Sequence, residues 1–252
     1  MRRKLIVGNW KMYGNYASNE VLLEALLSGL RDLRNADYAV CVPHPYLFQA
    51  QAALKGSNIG WGGQNMSQFT GGAFTGSVAP QMLTDFGCQY VIIGHSERRG
   101  ALHETNPMVA GKFAAAVRMG IKPILCLGET REEHDAGLAH EVVERQLSAV
   151  LDEVGAENLG KGLLAYEPVW AIGVGRGARP EQAQSIHAYL RKLVAKKNKD
   201  VAKEIRILHG GSVKPANAAK LLAMPDIDGG LVGGASLDAA DFVPICRIAH
   251  SF

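Results

Sequence analysis

Gly162-Leu163-Leu164-Ala165-Tyr166-Glu167-Pro168-Val169-Trp170-Ala171-Ile172-Gly173 carries the pattern on which the fold turns. A short apolar run leads into one carboxylate. A proline, a small apolar loop with one tryptophan and a glycine follow. That order fits a strand that ends in a base and opens into a covering loop. A carboxylate at a strand tip becomes useful when water is excluded above it. Taken alone, the same residues fit a surface glutamate before a turn.

Seven more apolar runs lie to either side. They are Leu5-Ile6-Val7, Tyr38-Ala39-Val40-Cys41-Val42, Ile59-Gly60-Trp61, Tyr90-Val91-Ile92-Ile93, Pro123-Ile124-Leu125-Cys126-Leu127, Ile205-Arg206-Ile207-Leu208 and Gly230-Leu231-Val232. Helical spacing separates most of them. Val21 to Leu33 puts Leu22, Leu23, Leu26, Leu27 and Leu30 on one face, and Glu132 to Val154 does the same with Val142, Val143, Leu147, Val150 and Leu151. Near-continuous apolar strands alternating with helices predict a parallel α/β sheet covered by helices. Eight such units in 252 residues fit a closed (β/α)8 barrel better than an open doubly wound sheet. No linker or low-complexity segment divides the chain, so residues 1–252 are expected to form a single barrel domain.

Hydrophobic residues make up 47% of the chain and charged residues 20%, which supports a large core and argues against disorder. The formal net charge is +3, and the densest basic cluster, Lys196, Lys197 and Lys199, sits beside Asp200. It reads as a solvated helix end, so no nucleic-acid partner is expected. The four cysteines lack CxxC spacing and read as reduced, buried thiols of a cytoplasmic protein. No run approaches the ~20 apolar residues of a membrane span. Met1-Arg2-Arg3-Lys4 leads into a strand rather than resembling a signal peptide. A small molecule is the expected partner.

A barrel places its chemistry at the C-terminal ends of the strands. Those positions hold Asn9 and Lys11, His95, Gly128-Glu129, Glu167, His209-Gly210-Gly211-Ser212 and Gly233-Gly234. Turned inward, Lys11 brings a positive charge and Asn9 a neutral donor; turned outward, Lys11 is a surface residue. Ser96 has the position of an N-cap for a helix beginning at Glu97. The amides of that helix would keep His95 neutral, the alternative being a histidine satisfied by backbone. Glu97 reads as a brace for Lys11, and Arg98 and Arg99 as structural ion-pair partners. Glycine lets amides approach an anion, so the turns after strands seven and eight predict phosphate binding. Cys126 fits a packed thiol better than a reactive one. No cluster has metal-ligand spacing, so no metal is expected.

Asn9-Trp10-Lys11-Met12, Gly94-His95-Ser96-Glu97-Arg98-Arg99, Ala165 to Gly173, Gly210-Gly211-Ser212-Val213 and Leu231-Val232-Gly233-Gly234-Ala235-Ser236-Leu237 resemble the triosephosphate isomerase family, in order, from residue 5 to about residue 240. The resemblance implies interconversion of dihydroxyacetone phosphate and D-glyceraldehyde 3-phosphate without a cofactor. It implies Glu167 as base, neutral His95 as electrophile, and Lys11 and Asn9 as charge-balancing donors. Gly173, Ser212, Gly233 and Gly234 would hold phosphate under a closing loop, 168–178. It also implies a homodimer, in which Thr75 of the loop 64–78 reaches the partner's site.

The chain departs from the family pattern at four positions. His209 stands where a tyrosine is common, Val174 and Gly177 alter the far hinge of the loop, and Ser77 replaces a glutamate. These changes predict a less populated closed loop. A His209 near its ordinary pKa of ~6.5 would make closure pH-dependent. Two other readings stay open: a different phosphate-binding barrel, and a non-catalytic relative. An aldolase would want a Schiff-base lysine where this chain has Glu167.

Overall fold

The computed structural model describes residues 2–172 and 177–252. Eight parallel strands close into a ring: β1 (Leu5–Asn9), β2 (Asp37–Cys41), β3 (Ile59–Gly63), β4 (Tyr90–Ile93), β5 (Lys122–Leu127), β6 (Leu163–Tyr166), β7 (Ile207–His209) and β8 (Gly229–Val232). The ring shuts where β1 pairs with β8, Leu5 opposite Gly229 and Gly8 opposite Val232. The fold expected from the sequence, a (β/α)8 barrel, is the one observed.

Alternation along the strands divides the core in two. Leu5, Val7, Cys41, Ile124, Ala165 and Leu208 belong to a buried cluster of their own, which fills the barrel. Their neighbours Ile6, Val40, Leu125, Leu164 and Ile207 join the larger cluster beneath the helices. Both faces of the sheet are therefore apolar, which is why the strands appear in the sequence as unbroken runs.

Boundaries moved more than elements did. The first predicted helix runs Tyr16–Leu30, starting earlier than Val21 because Asn15 caps it reciprocally with Ser18. The stretch 132–154 is two helices, Arg131–Asp135 and Ala139–Leu159. Gly137, at φ 74°, breaks the path between them, and Thr130 caps the first in a box with Glu133. At the N-terminal end of the barrel, Asp37 pairs with Arg3 and Arg206, each at 2.6 Å. Asp228 pairs with Arg2 at 2.7 Å and Arg191 at 2.6 Å. All four cysteines are unpaired and buried. Among the described residues no helix is long and apolar enough to cross a membrane.

Candidate active site

Strand ends bring the predicted polar residues to one mouth. After β1, Lys11 adopts φ 53°, a left-handed conformation rare for a residue with a Cβ. Two contacts hold it there. Its N–H donates to Asn9 Oδ1 at 3.0 Å, and its Nζ to Glu97 Oε1 at 2.6 Å.

After β4, the N-cap of the helix Ser96–Ala101 is His95, not Ser96. Nδ1 of His95 accepts the Glu97 N–H at 3.3 Å. Ser96 is instead the first residue of that helix, and both its donors face Glu167. Its N–H donates to Glu167 Oε2 at 2.9 Å and its Oγ to Oε1 at 3.1 Å. His95 Nε2 lies 2.8 Å from the same Oε1. A backbone N–H can only donate, so Nδ1 carries no proton and the Nε2–H faces the carboxylate.

Glu167 is fully buried, which raises its pKa, yet the bonds from His95 and Ser96 outweigh burial and hold it below the usual carboxylate range. Burial penalises an imidazolium at His95, while the neighbouring Glu167 charge prevails and raises its pKa. The Glu97 amide acts the other way, because a proton on Nδ1 would forfeit that bond. The upward pull on His95 lasts only while the carboxylate lies against the ring. A neutral substrate oxygen in its place would remove it.

Space for Glu167 comes from glycines. A Cβ on Gly128 would sit 1.8 Å from the Glu167 carbonyl oxygen, and one on Gly210 would sit 2.8 Å from its Cγ. Beside the carboxylate opens a cavity of about 340 Å³, lined by Asn9, Lys11, His95, Ser212, Gly233 and Gly234 among others. Glu167 lies behind His95 and does not line it. Gly173 and Val174 fall outside the described residues.

A family model for triosephosphate isomerase matches residues 4–249. The triosephosphate isomerase of Nitrosomonas eutropha is 54% identical over 250 residues, 99% of each chain. That of Thiobacillus denitrificans is 54% identical over 249 residues, again 99% of each. The enzyme of Nitrosococcus oceani is 53% identical over 249 residues, 99% of this chain and 100% of its own.

The chain belongs to the triosephosphate isomerase family. Membership bears out the family and the enzyme class expected from the sequence.

Other residues settle differently from expectation. His209 is the last residue of β7 and is buried, with no partner for either ring nitrogen among the described residues. Its ring centroid lies 6.1 Å from that of His187. Burial first, and His187 second, push the His209 pKa down to about 3. Burial likewise takes His187 to about 4. A titration of His209 near 6.5 is thereby overturned. Cys126 is enclosed in the barrel, where burial and then Glu167 raise its thiol pKa well above the ordinary value. Arg98 pairs with Glu104 at 2.5 Å, whereas Arg99 donates to the Gly94 carbonyl at 2.7 Å.

Thr75 and Ser77 are exposed beside a second cavity of about 950 Å³, which runs from Lys11 and Glu97 to Phe69 and Phe74. The two phenylalanine rings stack at 4.5 Å.

Sequence reasoning assigned no role to Glu129. Buried after β5, it accepts from Tyr166 Oη at 3.0 Å and Trp170 Nε1 at 2.8 Å, tying β6 to the start of the loop 168–178. Its strand-end position was the available signal. Lys214 and Asn217, just past the Gly210-Gly211-Ser212 turn, were also passed over.

Proposed function

We propose that the chain interconverts dihydroxyacetone phosphate and D-glyceraldehyde 3-phosphate through an enediolate. The convergence of His95 Nε2 and both Ser96 donors on Glu167, beside a cavity lined with glycine amides, carries this reading. Glu167 takes a proton from the carbon next to the carbonyl and returns it to the neighbouring carbon. Neutral His95 donates its Nε2–H to the carbonyl oxygen and relays protons between the two oxygens. Lys11 and Asn9 stabilise the developing oxyanion. Amides of Ser212, Gly233 and Gly234, with Gly173, hold the phosphate. Ser96 and Glu97 support the base and Lys11 respectively, and Cys126 packs beneath.

Glu167 must exchange its Ser96 bonds for the substrate. The loop 168–178 begins at the next residue, so its closure moves the carboxylate and excludes water at the same time. The chemistry draws only on side chains and amides, with no cofactor. Residues 1–252 act as a single barrel domain, and four unpaired buried thiols fit a reducing cytoplasm. Glycolysis and gluconeogenesis are where such a reaction serves.

The active form is a homodimer. Met12 is 94% exposed and Leu102 58%, and with Phe69 and Phe74 they rim the cavity between Lys11 and Thr75. An apolar rim of this kind is suited to a second copy. A coupled assay of glyceraldehyde 3-phosphate turnover tests the proposal, run beside Glu167→Gln. The variant should lose about 10²–10⁴-fold in kcat. A folded variant with undiminished turnover would exclude Glu167 as the base.

A further inference from the structure

The cavity that takes the phosphate has a charge arrangement that the roles above leave unused. Lys11 and Lys214 both line it, and no carboxylate does among the described residues. The two lysines are not equivalent. Lys11 Nζ is committed to Glu97 at 2.6 Å, so much of its charge is already balanced. Lys214 is exposed at the rim, and among the described residues no carboxylate pairs with it.

The turn that presents Lys214 is fixed by one side chain. Asn217 Oδ1 accepts the Lys214 N–H at 2.8 Å, and Asn217 Nδ2 donates to the Ser212 carbonyl at 2.9 Å. Those two bonds set both peptide planes flanking Val213, and with them the direction in which Lys214 leaves the chain. Lys214 is also the N-cap of the helix Pro215–Leu222, so its charge adds to the positive end of that helix.

We infer that Lys214, oriented by Asn217, is a second cationic element of the phosphate site, there to attract and retain the dianionic group of the substrate. This rests on the triose phosphate reading above. A dianion that meets amides and one lysine shared with Glu97 is left with part of its charge uncompensated. A free ammonium at the rim supplies it, and does so over several ångströms before contact. Lys214 is a binding residue under this assignment and Asn217 a positioning residue.

Inorganic phosphate is the probe, because it needs no turnover. Its affinity is measured by calorimetry on the full chain at several ionic strengths, beside the KM for glyceraldehyde 3-phosphate. Lys214→Ala should weaken phosphate and raise KM by about three- to tenfold, with the effect shrinking at high salt. The loss should fall on KM rather than kcat, and Lys214→Arg should restore it. Asn217→Ala should produce part of the same loss, and the double variant less than the sum of the two. Unchanged phosphate affinity and salt dependence in a folded Lys214→Ala would overturn the inference while leaving the isomerase reading intact. Additive losses would remove Asn217 from it. A wild-type chain that neither binds phosphate nor turns over would overturn both readings together.

Discussion

His187 and His209 face each other in the interior, and among the described residues three of their four ring nitrogens have no hydrogen-bond partner; the consequence is felt in stability. The unfolded chain binds protons at these histidines below about pH 6.5. The folded chain does not until about pH 4 at His187 and about pH 3 at His209. The unfolded state therefore binds more protons throughout that window, and stability falls as pH drops through it. His209→Gln cannot take up a proton in either state. Between pH 7 and pH 5 it should lose about 2 kcal/mol less stability than wild type in denaturant titrations. Equal losses would mean that His209 plays no part in acid sensitivity. His209→Tyr asks about the loop instead. An added hydroxyl able to hold the closed form should tighten binding of an enediolate mimic, and unchanged affinity would dismiss the idea of a less populated closed loop.

At the level of elements, the helix Arg131–Asp135 matters beyond its five residues. Arg131 donates to the Trp170 carbonyl at 2.6 Å, and the His134 ring stacks on the indole at 4.1 Å. Glu129, just before the helix, accepts the indole N–H. Removing that buried acceptor in Glu129→Ala strands the Tyr166 hydroxyl and the Trp170 indole. The cost should be about 2 kcal/mol, seen as a Tm lowered by about 4–8 °C. Tryptophan fluorescence should shift as well. No change in either would show the contacts to be incidental.

Elements also show where sequence reading stopped. The eight strands were legible because a parallel sheet buried on both faces leaves continuous apolar runs. The split of 132–154 was not, because the apolar spacing begins only at Val142 and says nothing of the polar stretch before Gly137, where the backbone breaks. The N-cap of the helix Ser96–Ala101 was misplaced by one residue for a related reason. Serine is the better cap by type, yet here it is the first helical residue and reaches Glu167, a partner 71 residues away that local pattern cannot reveal. Glu129, noted only for its strand-end position, and Asn217 and Lys214 were given no role for the same cause: their significance lies in what they meet in space.

For the whole molecule, the exposed rim around the second cavity predicts assembly. Phe74→Asp places a charge where the stacked Phe69–Phe74 pair would enter a partner. Sedimentation should show a monomer, with activity lost alongside. A monomeric wild type, or a dimer unaffected by the charge, would rule this surface out as the interface.

Ring closure has a price that falls during synthesis. β1 finds its second neighbour in β8, and Arg2 its carboxylates in Asp226 and Asp228. A ribosome adding about 5–20 residues per second takes roughly 10–50 s to reach that point. Through all of it the first strand made waits with one edge bare, and its apolar face is open to any other chain. The last strand to emerge thus ends the period in which the nascent protein is most open to aggregation, and a ribosome stalled before it would leave a template for strand addition.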